Sequence, residues 1–164
     1  KELSEENAAQ TAKALNIIQP DFIRVHATGI KLESKLGEFV RDGSFTLQSE
    51  EEIVIEQKLF LQQLHEMDSY YVNEHIVNLL LEVRGNLRTE KQEMLSTIDR
   101  FLTLPPDERL LFTVGRRLNI FFRLDDLKKP KLHQKAGESL QQILSKNPHV
   151  DFAALCNYVR QSQI

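Results

Sequence analysis

A chain of 164 residues with 41% hydrophobic and 27% charged content can bury a core of its own, which excludes the disordered and fibrous classes. One cysteine excludes a disulfide framework and a multi-cysteine metal site; a reducing compartment, and so a cytoplasmic location, is the expectation. The net charge of −3 is a poor match to nucleic-acid wrapping, and no apolar run approaches the ~20 residues that cross a bilayer.

The charge is unevenly placed. Residues 1–104 hold 11 Lys+Arg and 18 Asp+Glu, while residues 105–164 hold 10 and 6, so −7 and +4 make up the −3. The N-terminus has no charged-then-apolar signal pattern. It opens on Lys1 rather than methionine, so the reading expects one helical domain over residues 1–164, cut from a longer protein.

Eight helical segments and no convincing strand follow from the periodicity. The first, about Ser4–Ile18, carries Ala8, Ala12, Leu15 and Ile18, with Ser4 as N-cap and Pro20 as stop. The second runs from Asp21 to about Asp42. Gly29 and Gly37 inside it imply a kink, a close helix contact or two shorter helices, and Gly43 ends it. Phe45-Thr46-Leu47 alternates like a strand but is too short for a sheet. Ser49 opens the third segment with a capping box to Glu52, and Glu50, Glu51 and Glu52 suit the positive end of its dipole.

The stretch Tyr70–Gly85 reads as the central helix. Val72, Ile76, Leu79, Leu80 and Val83 form one stripe and Tyr70, Val77 and Leu81 a second, so neighbours must cover it on two sides. Leu80 and Val83 are expected among the most buried residues. Thr89 with Gln92 forms a second capping box, ahead of Leu95, Ile98, Phe101 and Leu102. Pro105-Pro106-Asp107 restarts the chain into a sixth segment reaching about Asp126, with Leu110, Leu111, Val114, Leu118, Phe121 and Phe122 on one face. Segments over about Leu132–Ser145 and from Asp151 onward complete an irregular all-α bundle of seven or eight helices.

Motifs that carry chemistry are few. There is no phosphate-cradling glycine loop, no His-Glu-x-x-His and no Gly-x-Ser-x-Gly, so no catalytic residue, metal or cofactor is assigned. His65 with Asp68 is better explained as a surface pair than as metal ligands. Cys156, with His149 and Asn157 near in sequence, sits at a core position and reads as a small hydrophobe rather than a nucleophile. Asp125 and Asp126 point about 100° apart on a helix, which favours a helix-end role.

The most distinctive feature is a heptad stripe, Arg109, Arg116 and Arg123, with Phe112 beside it and Lys128, Lys129, Lys131 and Lys135 continuing its charge. Arginine among apolar neighbours is the composition of binding surfaces. The competing reading makes these arginines internal, paired with the acidic third segment. The functional expectation is a non-enzymatic protein-interaction module whose partner meets Arg109, Phe112, Arg116, Arg123, Lys128, Lys129 and Lys131. An anionic lipid surface at residues 128–135 is the alternative, and a helical enzyme with an unrecognised site ranks third.

Overall fold

The structure, a computed structural model, describes residues 3–162. The fold is all-α: 58% of the chain is helical and 5% is strand. Among the described residues seven helices run in the order α1 (Ser4–Ile18), α2 (Lys35–Arg41), α3 (Glu50–Gln63), α4 (Lys91–Leu102), α5 (Pro106–Arg117), α6 (Pro130–Lys146) and α7 (Phe152–Ser162). Three short strands sit among them: β1 (Phe22–Arg24), β2 (Tyr70–Val72) and β3 (Gly85–Asn86). β2 is the middle strand, parallel to β1 and antiparallel to β3. α1 packs on α3 and α3 on α4, while α5 lies against α6 and α7.

Local chemistry sets several boundaries as expected. The Ser49 hydroxyl accepts from Glu52 N and the Glu52 carboxylate accepts from Ser49 N, so both halves of the capping box that starts α3 are present. At α1 the N-cap is Leu3 rather than Ser4, and the helix closes on Gln19 in a left-handed conformation. Thr89 does not cap α4. Glu90 stands at the N-cap there, and its carboxylate instead accepts from Asn86 N, 2.7 Å away.

Two expected helices are absent. The segment read as helical from Asp21 to Asp42 is β1, an irregular stretch and the short α2. Gly29 explains part of this, because a Cβ there would lie 2.9–3.2 Å from the backbone of Arg160 and Gln161. The chain passes so close to α7 that no side chain fits. A close contact is therefore present at Gly29, but irregular chain makes it, not the expected helix.

Tyr70–Gly85 is not the central helix. It is β2, an irregular loop and the start of β3, and two buried carboxamides supply hydrogen bonds in place of those a helix would have made internally. Asn73 Nδ2 donates to Leu80 O at 2.6 Å, and Asn78 Nδ2 donates to Val25 O at 2.8 Å and Asn73 O at 3.1 Å. Asn78 Oδ1 accepts from Ala27 N at 2.6 Å. The expected burial of Leu80 and Val83 nonetheless holds, and Val72, Val77 and Leu79 are in the core with them, whereas Tyr70 and Ile76 of the expected stripes are exposed.

The helix covered on every side is α5, whose residues Leu111 to Arg117 are all buried. It stops nine residues before the expected end near Asp126. Asn119 turns left-handed (φ 57°), and Ile120 N and Phe121 N both donate to Gly115 O. That folds the Phe121 ring onto Gly115, where a Cβ would be 2.3 Å from the ring edge. Asp126 then caps a 3-10 turn over Leu124–Lys128, accepting from Phe122 N at 2.7 Å and Arg123 N at 2.9 Å.

Candidate functional site

The early end of α5 breaks the heptad stripe. Arg123 lies beyond the helix and is exposed, so it shares no face with Arg109 and Arg116. Phe112 is 0% exposed, wedged between Phe101 and Phe121 with both ring centroids 5.9 Å away. It is a core residue and offers nothing to a partner. Arg116 is also 0% exposed. Phe112 joins the expected Leu111 and Val114 in the core, while Leu118 and Phe122, expected inside, lie past the end of α5 and are partly exposed. Arg109 donates to Leu102 O at 2.6 Å and pairs with Glu51 at 3.3 Å. The internal reading, with pairing to the acidic third segment, is thus realised at Arg109 through Glu51, while Arg116 is buried but bonds Ile76 O instead.

Arg123, Lys128, Lys129 and Lys131 remain on the surface. Lys128 is paired with Asp125 at 2.7 Å and Lys129 with Asp126 at 2.7 Å, so two of the four charges are locally neutralised. Asp125 also takes Arg100 at 2.9 Å, and these cations hold its carboxyl below the ordinary range. Asp125 and Asp126 therefore do separate work, one in surface pairs and one as a cap. Asp68 bonds Asn86 Nδ2 at 3.0 Å, not His65.

A buried ionic cluster stands where the first turn of α3, the last turn of α5 and the last turn of α7 meet. Glu50 accepts from Arg117 Nε at 3.1 Å, from Arg117 Nη2 at 2.5 Å and from Arg160 Nη1. Arg117 Nη1 also donates to Val77 O and Arg116 Nη2 to Ile76 O, each at 2.9 Å, so two consecutive arginines hold the loop after β2. The Arg116 guanidinium lies 5.7 Å from the Phe122 ring centroid, a cation–π pair at the surface end of its reach. Its pKa is lowered to about 10, chiefly by burial and next by Arg117, and it stays charged at neutral pH. Burial likewise lowers Arg160.

Charge in this cluster is unbalanced. Two guanidiniums share the Glu50 carboxylate with that of Arg116 close by, and among the described residues Arg160 Nε, Arg116 Nε and Arg116 Nη1 have no hydrogen-bond partner. Cys156 lies in the same region, 2% exposed, its thiol pushed up to about 12 mainly by burial and next by Glu50. That is the opposite of an activated nucleophile.

A cavity of about 460 Å³ opens between α1, α3, the sheet and the 25–30 loop, with Arg160 in its wall. Val54, Phe60 and Leu79 give it an apolar lining. The Tyr71 hydroxyl, fully buried, accepts from Gln57 Nε2 at 3.0 Å, and burial holds its pKa well above the ordinary value. His26 stands at the cavity with its ring 4.2 Å from that of His75; burial and then His75 lower its pKa. Among the described residues, no three His, Cys, Asp or Glu side chains gather as a metal site needs.

The second notable surface is the sheet edge. Asp21 O accepts from Tyr70 N and Val25 N donates to Val72 O. In a parallel ladder alternate residues bond to the same neighbour, so Phe22 and Arg24 direct their N–H and C=O to the other side. No described strand stands there. Phe22 is exposed and its ring stacks on the exposed Tyr70 at 6.1 Å, a few residues after the exposed Ile17 and Ile18.

Sequence reasoning missed both sites. Glu50 was explained by the helix dipole, and nothing local tied it to Arg117 or Arg160. Tyr70 is counted there toward a helical face, and Phe22 falls in the segment read as the second helix. No protein-family model, curated protein or solved structure matches the chain, and no helix among the described residues is long and apolar enough to cross a membrane.

Proposed function

We propose that the protein is a non-enzymatic protein-interaction module that receives an extended segment of a partner along the outer edge of β1. The observation carrying this reading is the unpaired edge formed by Phe22 and Arg24, bordered by exposed aromatic and aliphatic side chains. Edge strands expose backbone donors and acceptors that pair readily with another chain, and parallel strands are ordinarily covered. Strand addition draws its affinity from the main chain and its selectivity from alternate side chains. The basic surface at Arg123, Lys128, Lys129 and Lys131 supports an interaction less well, because two of its lysines are already paired.

A photo-crosslinking residue in place of Phe22, in the full chain in its native host, is expected to give one defined adduct to an extended segment. Arg24→Pro should remove that adduct, since proline deletes an outward N–H and leaves the bonds to β2 in place. An adduct that forms from a probe at Lys131 but not at Phe22 would return the interface to the basic surface. Binding to anionic vesicles that Lys128→Glu, Lys129→Glu and Lys131→Glu together abolish would instead favour the lipid alternative.

A further inference from the structure

The cavity beside the ionic cluster has the makings of a ligand site separate from the sheet edge. Its volume of about 460 Å³ lies within the ~300–1,000 Å³ typical of small-molecule pockets. Apolar side chains line it, with a few polar groups interspersed, and one of these is a buried cation. Arg160 is 2% exposed and gives Nη1 to Glu50, while its Nε has no partner among the described residues. Glu50 is already shared with Arg117, so a single carboxylate faces two guanidiniums, with a third on Arg116. A buried charge without full compensation is costly, and a second carboxylate is the natural complement of a guanidinium.

The other polar groups limit what that complement can be. The Tyr71 hydroxyl accepts from Gln57, and its own hydrogen has no acceptor among the described residues. Glu56 also lines the cavity, but its oxygens are engaged by Asn7 Nδ2 at 2.9 Å and Gln48 Nε2 at 2.8 Å. It excludes a multiply charged anion from its side. Val54 and Phe60 favour a hydrocarbon body over a hydrated one.

We propose that this cavity binds a small monocarboxylate with an apolar body, its carboxylate against Arg160 and its hydrocarbon over Val54 and Phe60. Unlike a phosphate, a carboxylate brings one charge and sheds less water on entering a largely apolar space.

The test is a titration of the full chain with 4-phenylbutanoate, 4-phenylbutanol and inorganic phosphate, followed by amide NMR. The acid is expected to shift the amides of Ala27, Val54, Tyr71 and Asn78, to bind at least about tenfold tighter than the alcohol, and to leave phosphate without effect. Leu36→Trp, at a partly exposed position of the lining, should abolish the shifts with the fold intact. Arg160→Lys should weaken the acid about tenfold or more while leaving the alcohol unchanged. Equal affinity for acid and alcohol, shifts that cluster away from the cavity, phosphate binding as tightly as the acid, or acid binding undiminished in Leu36→Trp would each overturn the proposal.

Discussion

Glu50→Gln isolates the electrostatic content of the interior with almost no change of shape. The native carboxylate is 5% exposed and accepts three N–H groups from Arg117 and Arg160. Hydrogen bonds to charged groups contribute about 1.5–3 kcal/mol each, but glutamine keeps one acceptor oxygen, so a simple sum overstates the loss. Removing one partner of a buried ion pair costs about 3–5 kcal/mol, because the remaining charges stay buried. The substitution should therefore destabilise by roughly 4 kcal/mol, which for a chain of this length lowers Tm by roughly 8–16 °C. Urea denaturation read by circular dichroism measures the free energy, and a scan measures the midpoint. Combining Glu50→Gln with Arg117→Met should cost less than the two single losses added together. A single loss under about 1 kcal/mol, the scale of an exposed pair, would show that the cluster is open to water and refute the reasoning.

Glu82 is half-buried, and burial raises its carboxyl above its ordinary 4.5 despite the amide of Leu124 that it accepts. The folded state holds that proton more tightly than the unfolded one, so stability falls as pH rises from about 4.5 through the raised value. Glu82→Gln should remove that fall, and a stability difference from the native protein that stays constant over pH 4–7 would contradict it. Gly115→Ala gains about 1 kcal/mol of helix propensity, but its Cβ would meet the Phe121 ring at 2.3 Å. The net result is expected to be a loss of about 2 kcal/mol in urea denaturation, and any gain in stability would show that the ring can move aside. Cys156, with its thiol pushed up to about 12, should react with a thiol reagent at neutral pH only as the protein unfolds; rapid labelling of the folded chain would contradict its burial.

The elements legible in the sequence were those whose cause is local. Leu95, Ile98 and Phe101 repeat on one face of α4 and are buried there, and the Ser49–Glu52 box needs only its own turn. The stretch from Tyr70 to Gly85 misled because apolar residues on two sides suit a buried helix or a buried loop equally. What decided between them was Asn78, whose amide reaches residues 25 and 27 about fifty positions upstream. Periodicity carries no trace of such a bond. The arginine stripe failed for a related reason, since its register assumed a helix through residue 126. One left-handed residue, Asn119, ended it early. The burial of Leu80 and Val83 was still foreseen, because apolar character survives a wrong choice of secondary structure.

Asn157 on α7 grips Ile30 from both sides, accepting from its N–H at 2.8 Å and donating to its carbonyl at 3.0 Å across a separation of 127 residues. At synthesis rates of about 5–20 residues per second, the Ile30 segment waits roughly 6–25 s on the ribosome before that grip can form. Until then Glu50 lacks one of its two guanidiniums, and the cavity lacks the wall that Arg160 provides. The nascent domain can assemble α1, α3 and α4 early, but it closes only once α7 has left the exit tunnel. A ribosome stalled short of α7 would hold a chain with its interior open to chaperones and proteases, so α7 is the helix that commits the domain.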